Sequence, residues 1–158
     1  MSKIVPFLWF NDQAEEAARF YVSIFPNSKI LDISYYGEGS AKPAGTAMVV
    51  EFTLNGQTIR ALNGGPEFKF SEAFSFSVDC ETQEEVDLYW HVLTKDGEEV
   101  QCGWLKDEFG FSWQIVPALL GKLISDPDRE KADRVVQALL KMKKLEIAEL
   151  QRAYDGLC

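Results

Sequence analysis

The chain has a single histidine, His91, and only three cysteines, Cys80, Cys102 and Cys158, among its 158 residues. The cysteines show none of the paired spacings that bind zinc or iron–sulfur clusters. An odd number of cysteines without such spacing is typical of free thiols in a reducing compartment. The sequence therefore offers little for a metal centre built on imidazole or thiolate, and it predicts a cytoplasmic location.

Long hydrophobic runs and basic residues are also scarce. No segment approaches the roughly 20 apolar residues that a membrane-spanning helix needs, and the N-terminal residues lack the apolar stretch of a signal peptide. Sixteen Lys and Arg against 25 Asp and Glu give a net charge of −9. A surface of this charge repels phosphate backbones, so the composition argues against nucleic acid and against a membrane as partners.

The chain does contain an internal repeat. Residues 15–21, Glu-Glu-Ala-Ala-Arg-Phe-Tyr, return as residues 84–90, Glu-Glu-Val-Asp-Leu-Tyr-Trp. Apolar segments over residues 4–10 and 73–79 precede the two copies at the same distance. A repeat on this scale indicates two similar modules, each with a strand followed by an acidic-started amphipathic helix.

The pattern along the chain predicts further strands in each module and a helical end. The first module has predicted strands over 3–10, 29–36, 46–54 and 57–62, with a helix after 3–10 that is capped by Asn11 or Asp12. The second module has predicted strands over 72–79, 98–106 and 111–116, with a helix after 72–79 that is capped by Thr82. Its third strand after the helix is short or missing. Three predicted helices follow Pro117, over 118–124, 127–143 and 145–154, with Asp126 as a cap.

The predicted fold class is therefore α+β. The chain is expected to be one compact domain in three parts: a first module over 1–66, a second module over 67–117 and a C-terminal helical extension over 118–158. The hydrophobic content of 46% is ample for a packed core in a chain of this length. The extension is expected to pack against its own domain.

Several motifs resemble the PhnB-like family, also described as 3-demethylubiquinone-9 3-methyltransferase-like, of the vicinal oxygen chelate superfamily. The motifs are Trp9-Phe10 with Glu15-Glu16-Ala17 and Phe20-Tyr21, then residues 23–26, 61–66, 84–87 and 102–107, and Phe109-Gly110 with Trp113-Gln114 and Pro117. The resemblance implies two βαβββ modules with a glyoxalase/bleomycin-resistance-like fold, whose sheets form a cupped cavity. It also implies a bacterial homodimer that holds a small-molecule ligand in that cavity.

The same resemblance allows a test for a metal site. Superfamily enzymes usually bind a divalent metal through four residues, two from each module. The internal repeat places Ile4 or a neighbour, Arg60, Ala73 and Gln114 at those positions. Arginine does not coordinate metals, isoleucine and alanine have no donor atom, and only one glutamine oxygen remains. We therefore expect no metal and no cofactor at these positions.

The methyltransferase description can be tested in the same way. Common S-adenosylmethionine enzymes need a glycine-rich turn that opens a helix at the edge of a parallel sheet. The segment Asn63-Gly64-Gly65-Pro66 follows a predicted strand but opens no predicted helix. We expect it to be a tight turn that uses the conformational freedom of glycine.

The remaining candidates form an apolar pocket with a few polar groups, which is the usual construction of a small-molecule site. Arg60 is expected either to meet an anionic ligand or water, or to pair with Glu51 or another carboxylate. The predicted ligand-binding residues are Arg60, Asn63 and Gln114, which would orient a small anionic or aromatic molecule, and Phe68, Phe70, Trp104 and Trp113, which would enclose it. Two alternatives stay open: an enzyme that acts in the cavity through Arg60, and a structural or partner-binding dimer whose cavity is filled by its own aromatic side chains.

Overall fold

The computed structural model describes residues 3–157. The chain divides into two compact units between Phe70 and Ser71. Each unit contains a four-stranded mixed sheet, and the predicted α+β class is confirmed. The predicted module boundary after residue 66 lies four residues before this division, and the three-part domain organisation stays a prediction.

The first unit has five elements in chain order: β1 (Phe7–Phe10), α1 (Ala14–Ile24), β2 (Lys29–Tyr35), β3 (Ala47–Leu54) and β4 (Gln57–Asn63). The sheet order is β1-β4-β3-β2, with β1 parallel to β4 and the other pairs antiparallel. Asn55 and Gly56 connect β3 to β4 with φ values of 48° and 85°. Positive φ at both central residues is what a tight two-residue hairpin requires, so the sequence pair Asn-Gly sets the register of β3 against β4.

Helix α1 covers one face of the first sheet. Its residues Ala14, Ala17, Ala18 and Tyr21 are fully buried, at the spacing of one helix face. The sheet residues on the same side are Leu8, Phe10, Val50, Phe52, Ile59 and Ala61, all of them buried. The alternating strand residues, including Phe7, Glu51 and Arg60, occupy the opposite side, which we call the helix-free face of the first sheet.

The second unit repeats this plan with shorter strands. Its elements are β5 (Phe76–Cys80), α2 (Gln83–Thr94), β6 (Glu98–Glu99), β7 (Trp104–Lys106) and β8 (Ser112–Pro117), in the sheet order β5-β8-β7-β6. Strand β6 has only two residues, so the predicted shortness of the third strand is confirmed.

Three helices follow β8: α3 (Leu120–Ile124), α4 (Arg129–Leu139) and α5 (Ile147–Tyr154). They enclose a small core of their own with the segment between α4 and α5, formed by the buried residues Leu120, Leu123, Val135, Leu145 and Leu150. Val116 of β8 packs against this cluster. The helical extension thus packs against its own unit, as expected. Within residues 3–157, no helix is long and apolar enough to cross a membrane.

The helix starts test the predicted caps. The Thr82 hydroxyl accepts a hydrogen bond from the backbone N–H of Glu85 at 3.2 Å, so this cap is confirmed. The predicted cap of α1 at Asn11 or Asp12 is wrong, because Gln13 holds the cap position without a side-chain bond. The predicted cap at Asp126 is also wrong, since the cap of α4 is Asp128, two residues later, whose carboxylate accepts from two backbone N–H groups.

Candidate functional site

Arg60 lies on the helix-free face of the first sheet, directly opposite Glu51 on the neighbouring strand. Its Nε atom donates to Oε2 of Glu51 at 2.7 Å. The side chains are 44% and 30% exposed, respectively, so the pair stands partly in water. The predicted pairing of Arg60 with Glu51 is therefore confirmed.

A cavity of about 210 Å³ lies beside this ion pair. Its lining residues are Val5, Leu31, Glu51, Gly56, Gln57, Thr58 and Arg60. Leu31 is supplied by a bulge in β2, where the pairing with β3 shifts register between Ile30 and Asp32. A bulge leaves one residue outside the ladder and re-aims its side chain. The site therefore combines an apolar edge with a charged pair.

The ion pair uses only part of the hydrogen-bonding capacity of Arg60. Only Nε of its guanidinium is engaged, and no other described residue bonds the two Nη atoms. A guanidinium with its terminal nitrogens available can bind a carboxylate through two parallel N–H donors. Arg60 can thus keep its partner Glu51 and still bind an anionic group.

Two predicted ligand-binding residues, Asn63 and Trp113, are buried, and their role in ligand binding stays a prediction. Asn63 is 3% exposed; its Oδ1 accepts from Ala14 N at 2.8 Å and its Nδ2 donates to Ala47 O at 3.0 Å. Trp113 is 2% exposed, and its Nε1 donates to Oδ2 of Asp107 at 2.8 Å. Each of these side chains thus bonds a group of its own unit, as buried polar atoms generally do.

Phe68 and Phe70 both pack against strand β1. The exposed Phe68 ring meets the Trp9 ring edge-on, with centroids 4.9 Å apart. The Phe70 ring meets the buried Phe10 in the same geometry at 5.1 Å. These contacts attach the segment 67–70 to the first unit, and a role in enclosing a ligand stays a prediction.

Trp104 and Gln114 belong to the second unit. They are register partners on the adjacent strands β7 and β8, so the structure brings these two predicted residues together. The Nε2 atom of Gln114 donates to the Ser75 hydroxyl at 3.1 Å. Their predicted role in ligand binding stays untested by these contacts.

The positions predicted to correspond to metal ligands do not suit a divalent metal. Ile4 and Ala73 precede the strands, and the register partners of Arg60 and Gln114 are instead Phe7 and Ser77. The residues beside Arg60 and Gln114 thus lie three residues after Ile4 and four residues after Ala73. The corrected pairs supply a guanidinium, a phenyl ring, an amide and a hydroxyl, without a carboxylate or imidazole. Across residues 3–157, no group of three or more His, Cys, Asp or Glu is placed to hold a metal.

The sequence predicted neither Val5 and Leu31 as lining residues of the cavity nor Asp32 as the register partner of Glu51. Leu31 and Asp32 depend on the bulge in β2, which the alternation of residues 29–36 does not reveal. The sequence does point to Glu51 as a candidate site residue, because it is a lone charge within a strongly apolar strand.

The segment after β4 is a turn stabilised by Trp9. The backbone N–H of Gly64 donates to Phe10 O at 2.8 Å, and Trp9 Nε1 donates to Gly65 O at 2.9 Å. A Cβ at position 64 would overlap the Trp9 ring, and Gly65 has a φ of 102°. Both glycines are thus required for close packing and backbone conformation, as the sequence predicted.

Comparison with known proteins places this arrangement in a family. A sequence model of the family described as 3-demethylubiquinone-9 3-methyltransferase matches residues 2–116. The chain belongs to this family. The PhnB protein of Bacillus cereus is 40% identical, with a TM-score of 0.69 over 74% of this chain and 100% of that chain. A comparison with curated proteins finds no match.

More distant structures share the fold of this family. A Pseudomonas aeruginosa protein is 20% identical, with a TM-score of 0.61 over 74% of this chain and 98% of that chain. The fosfomycin resistance protein FosX of Listeria monocytogenes is 16% identical, with a TM-score of 0.53 over 77% of this chain and 94% of that chain. The fold predicted for the two modules is thereby confirmed. The match to the family model ends before α3, so the helical extension lies beyond it.

The family description names a methyltransferase, and the glycine segment does not fit the usual cofactor of that reaction. Common S-adenosylmethionine enzymes hold the cofactor at a glycine-rich turn that opens a helix. Here Gly64 and Gly65 pack against Trp9, and no helix begins between Gly65 and the start of α2 at Gln83. We therefore derive no methyl-transfer step from these residues.

Proposed function

We propose that this protein binds a small carboxylate-bearing molecule at Arg60, in the cavity on the helix-free face of the first sheet. The observation that carries the proposal is the guanidinium of Arg60, which lines the cavity and has both Nη atoms without a partner among the described residues. Binding through a guanidinium needs no metal. This agrees with the side chains of Phe7, Ser77 and Gln114, which supply neither a carboxylate nor an imidazole.

The dimensions of the cavity limit the size and affinity of the ligand. Its volume of about 210 Å³ is below the range of roughly 300–1,000 Å³ that is common for drug-sized ligands. Val5 and Leu31 supply an apolar surface for a short aliphatic or planar group. Because the ion pair stands partly in water, we expect dissociation constants on the order of millimolar.

Titration of the protein with small-molecule probes, with its NMR resonances as the readout, tests this proposal. The probes are 4-methylpentanoate and the uncharged 4-methylpentanamide, which differ only in the group that Arg60 would bind. We expect the carboxylate to shift resonances of Val5, Leu31 and Glu51 in a saturable way, and the amide to bind at least about threefold more weakly.

Two arginine variants make the test specific. Arg60→Gln should abolish the preference for the carboxylate. Arg19→Gln is the matched control, because Arg19 forms a comparable exposed ion pair with Glu15 at 2.8 Å on α1. Equal binding of 4-methylpentanoate to the wild type and to Arg60→Gln would overturn the proposal.

We also propose a homodimer, as the family resemblance implies. Several large apolar side chains of the first unit are exposed: Ile4, Phe7, Tyr35 and Phe68. Exposed apolar groups that are contiguous commonly mark protein interfaces. Sedimentation velocity should give twice the chain mass of 17.9 kDa, and a single species at the chain mass would contradict the proposal.

A further inference from the structure

Three charged residues stand opposite one another across the helix-free face of the first sheet. Asp32 of β2 is the register partner of Glu51 of β3, and Glu51 is the register partner of Arg60 of β4. Register partners share a face of the sheet, with Cβ atoms roughly 4.5–5.5 Å apart. The row thus contains two carboxylates and one guanidinium, with a net charge of −1.

This row is electrostatically unbalanced. Like charges directly opposite on neighbouring strands destabilise a sheet. The guanidinium of Arg60 offsets the negative charge of Glu51 through the contact of its Nε atom with Oε2. Asp32 forms no ion pair among the described residues. The carboxylates of Asp32 and Glu51 therefore create a place where a cationic group would be stabilised.

The other charge on this side of β2 is Lys29, the register partner of Thr53. Lys29 is exposed and also forms no ion pair among the described residues. An exposed ammonium on a flexible side chain contributes little to a fixed pair in water. Lys29 therefore does not replace a cation held between Asp32 and Glu51.

We propose that the ligand is a zwitterion, an α-amino acid with a short aliphatic side chain. This inference rests on the proposed function, because it assigns the carboxylate of the ligand to the Nη atoms of Arg60. The ammonium group lies against Glu51 and Asp32, and the aliphatic group lies on Val5 and Leu31. The ammonium and carboxylate groups of an α-amino acid are attached to the same carbon atom. Arg60 and Glu51 are themselves in contact, so one molecule can reach both residues.

Three probes that share the same isobutyl group separate the contributions. Leucine carries both charges, 4-methylpentanoate has only the carboxylate, and 3-methylbutylamine has only the ammonium. In NMR titrations of the full chain we expect leucine to bind about three- to tenfold more tightly than either single-charge probe. Equal affinity for leucine and 4-methylpentanoate would overturn the zwitterion inference.

Variants of the two carboxylates should change the affinities for leucine and for 4-methylpentanoate in opposite directions. A nonspecific effect would not produce this result. Glu51→Gln should weaken leucine and strengthen 4-methylpentanoate, because the repulsion of the carboxylate disappears together with the partner of the ammonium. Asp32→Asn should change both affinities in the same directions by a smaller factor. Glu15→Gln, which removes a carboxylate from α1, is the control and should change neither affinity.

The outcomes separate this inference from the proposed function. If both carboxylate probes bind equally and lose affinity in Arg60→Gln, the carboxylate site stands and the zwitterion inference fails. If neither probe depends on Arg60, both fail. Tight binding of 3-methylbutylamine that persists in Arg60→Gln would also overturn both.

Discussion

The side-chain oxygen of Asn63, the last residue of β4, accepts the backbone N–H of Ala14, the first residue of α1, at 2.8 Å. The other amide atom of Asn63 donates to Ala47 O at 3.0 Å. One buried side chain thus caps α1 and also connects β4 to the start of β3. The helix has no side-chain cap of its own at Gln13, and this bond replaces it.

We predict that Asn63→Ala destabilises the protein by about 2–4 kcal/mol. The substitution leaves the N–H of Ala14 and the C=O of Ala47 without their side-chain partner in a buried position. Urea unfolding measures the change. Asn11→Ala, at an exposed position next to α1, is the control and should change stability by less than about 0.5 kcal/mol. A loss below about 1 kcal/mol for Asn63→Ala would contradict the structural role.

A second prediction concerns the turn after β4. Gly64→Ala should destabilise the protein by about 1–3 kcal/mol, because the added methyl group overlaps the Trp9 ring. Gly37→Ala is the matched control, since nothing lies within 4 Å of a Cβ at that position. If the two variants unfold at the same urea concentration, Trp9 does not pack as described.

Sequence patterns predicted the repeated plan of the two units because hydrophobic periodicity is a local property of the chain. The cap of α1 was beyond such reasoning, since Asn63 is 49 residues away from Ala14. Asn63 looked like a ligand-binding residue in sequence because it is polar and stands at the end of an apolar strand. In the structure its side-chain amide bonds the backbone N–H of Ala14 and the backbone C=O of Ala47.

The candidate site was predictable in part for a similar reason. The pairing of Arg60 with Glu51 was one of the alternatives that the sequence left open, and the hairpin at Asn55-Gly56 produces it by placing the two residues opposite each other. The positions of Leu31 and Asp32 were not predicted, because they depend on the bulge in β2. A bulge is one extra residue in a strand, and it leaves no clear signal in the sequence.

A third prediction concerns the attachment of the helical extension. The side-chain amide of Gln83 donates to Leu145 O at 3.0 Å and accepts from Ile147 N at 2.7 Å. Gln83→Ala should therefore make the amide hydrogen of Ile147 exchange at least about tenfold faster with solvent. Gln137→Ala, at an exposed site on α4, is the control. Unchanged exchange at Ile147 in Gln83→Ala would show that this bond does not hold the segment.

A fourth prediction concerns Cys80. Burial raises the pKa of the Cys80 thiol to about 12 from its ordinary 9.0, and the carboxylates of Glu85, Asp79 and Glu81 add to the rise. The folded thiol therefore keeps its proton where the unfolded thiol loses it. The free energy of unfolding that the protonated Cys80 thiol contributes is fully present below about pH 9. It falls as the pH rises from there towards 12.

Alkylation with iodoacetamide at pH 8, followed by mass spectrometry of the Cys80 peptide, measures the effect. A pKa of about 12 instead of 9.0 makes the thiolate about a thousandfold scarcer, so modification should be at least about a hundredfold slower in the folded protein than in urea. A folded rate within tenfold of the rate in urea would contradict a protonated, buried Cys80.

A fifth prediction separates the binding role of Arg60 from stability. The ion pair with Glu51 is partly exposed, with side-chain exposures of 44% and 30%, so its loss should cost at most about 1 kcal/mol. Arg60→Gln should therefore unfold in urea close to the wild-type midpoint. A loss above about 3 kcal/mol would mean that Arg60 is a structural residue and that binding data on this variant are not interpretable as loss of a ligand contact.

The central claim is that the guanidinium of Arg60 binds the carboxylate of a small ligand, and the side-chain Nε–H resonances of the arginines test it most directly. During titration with leucine we expect the Arg60 resonance to shift and saturate, while that of Arg19 stays constant. An Arg60 resonance that does not respond to leucine or to 4-methylpentanoate, up to concentrations of about 50 mM, would contradict the account.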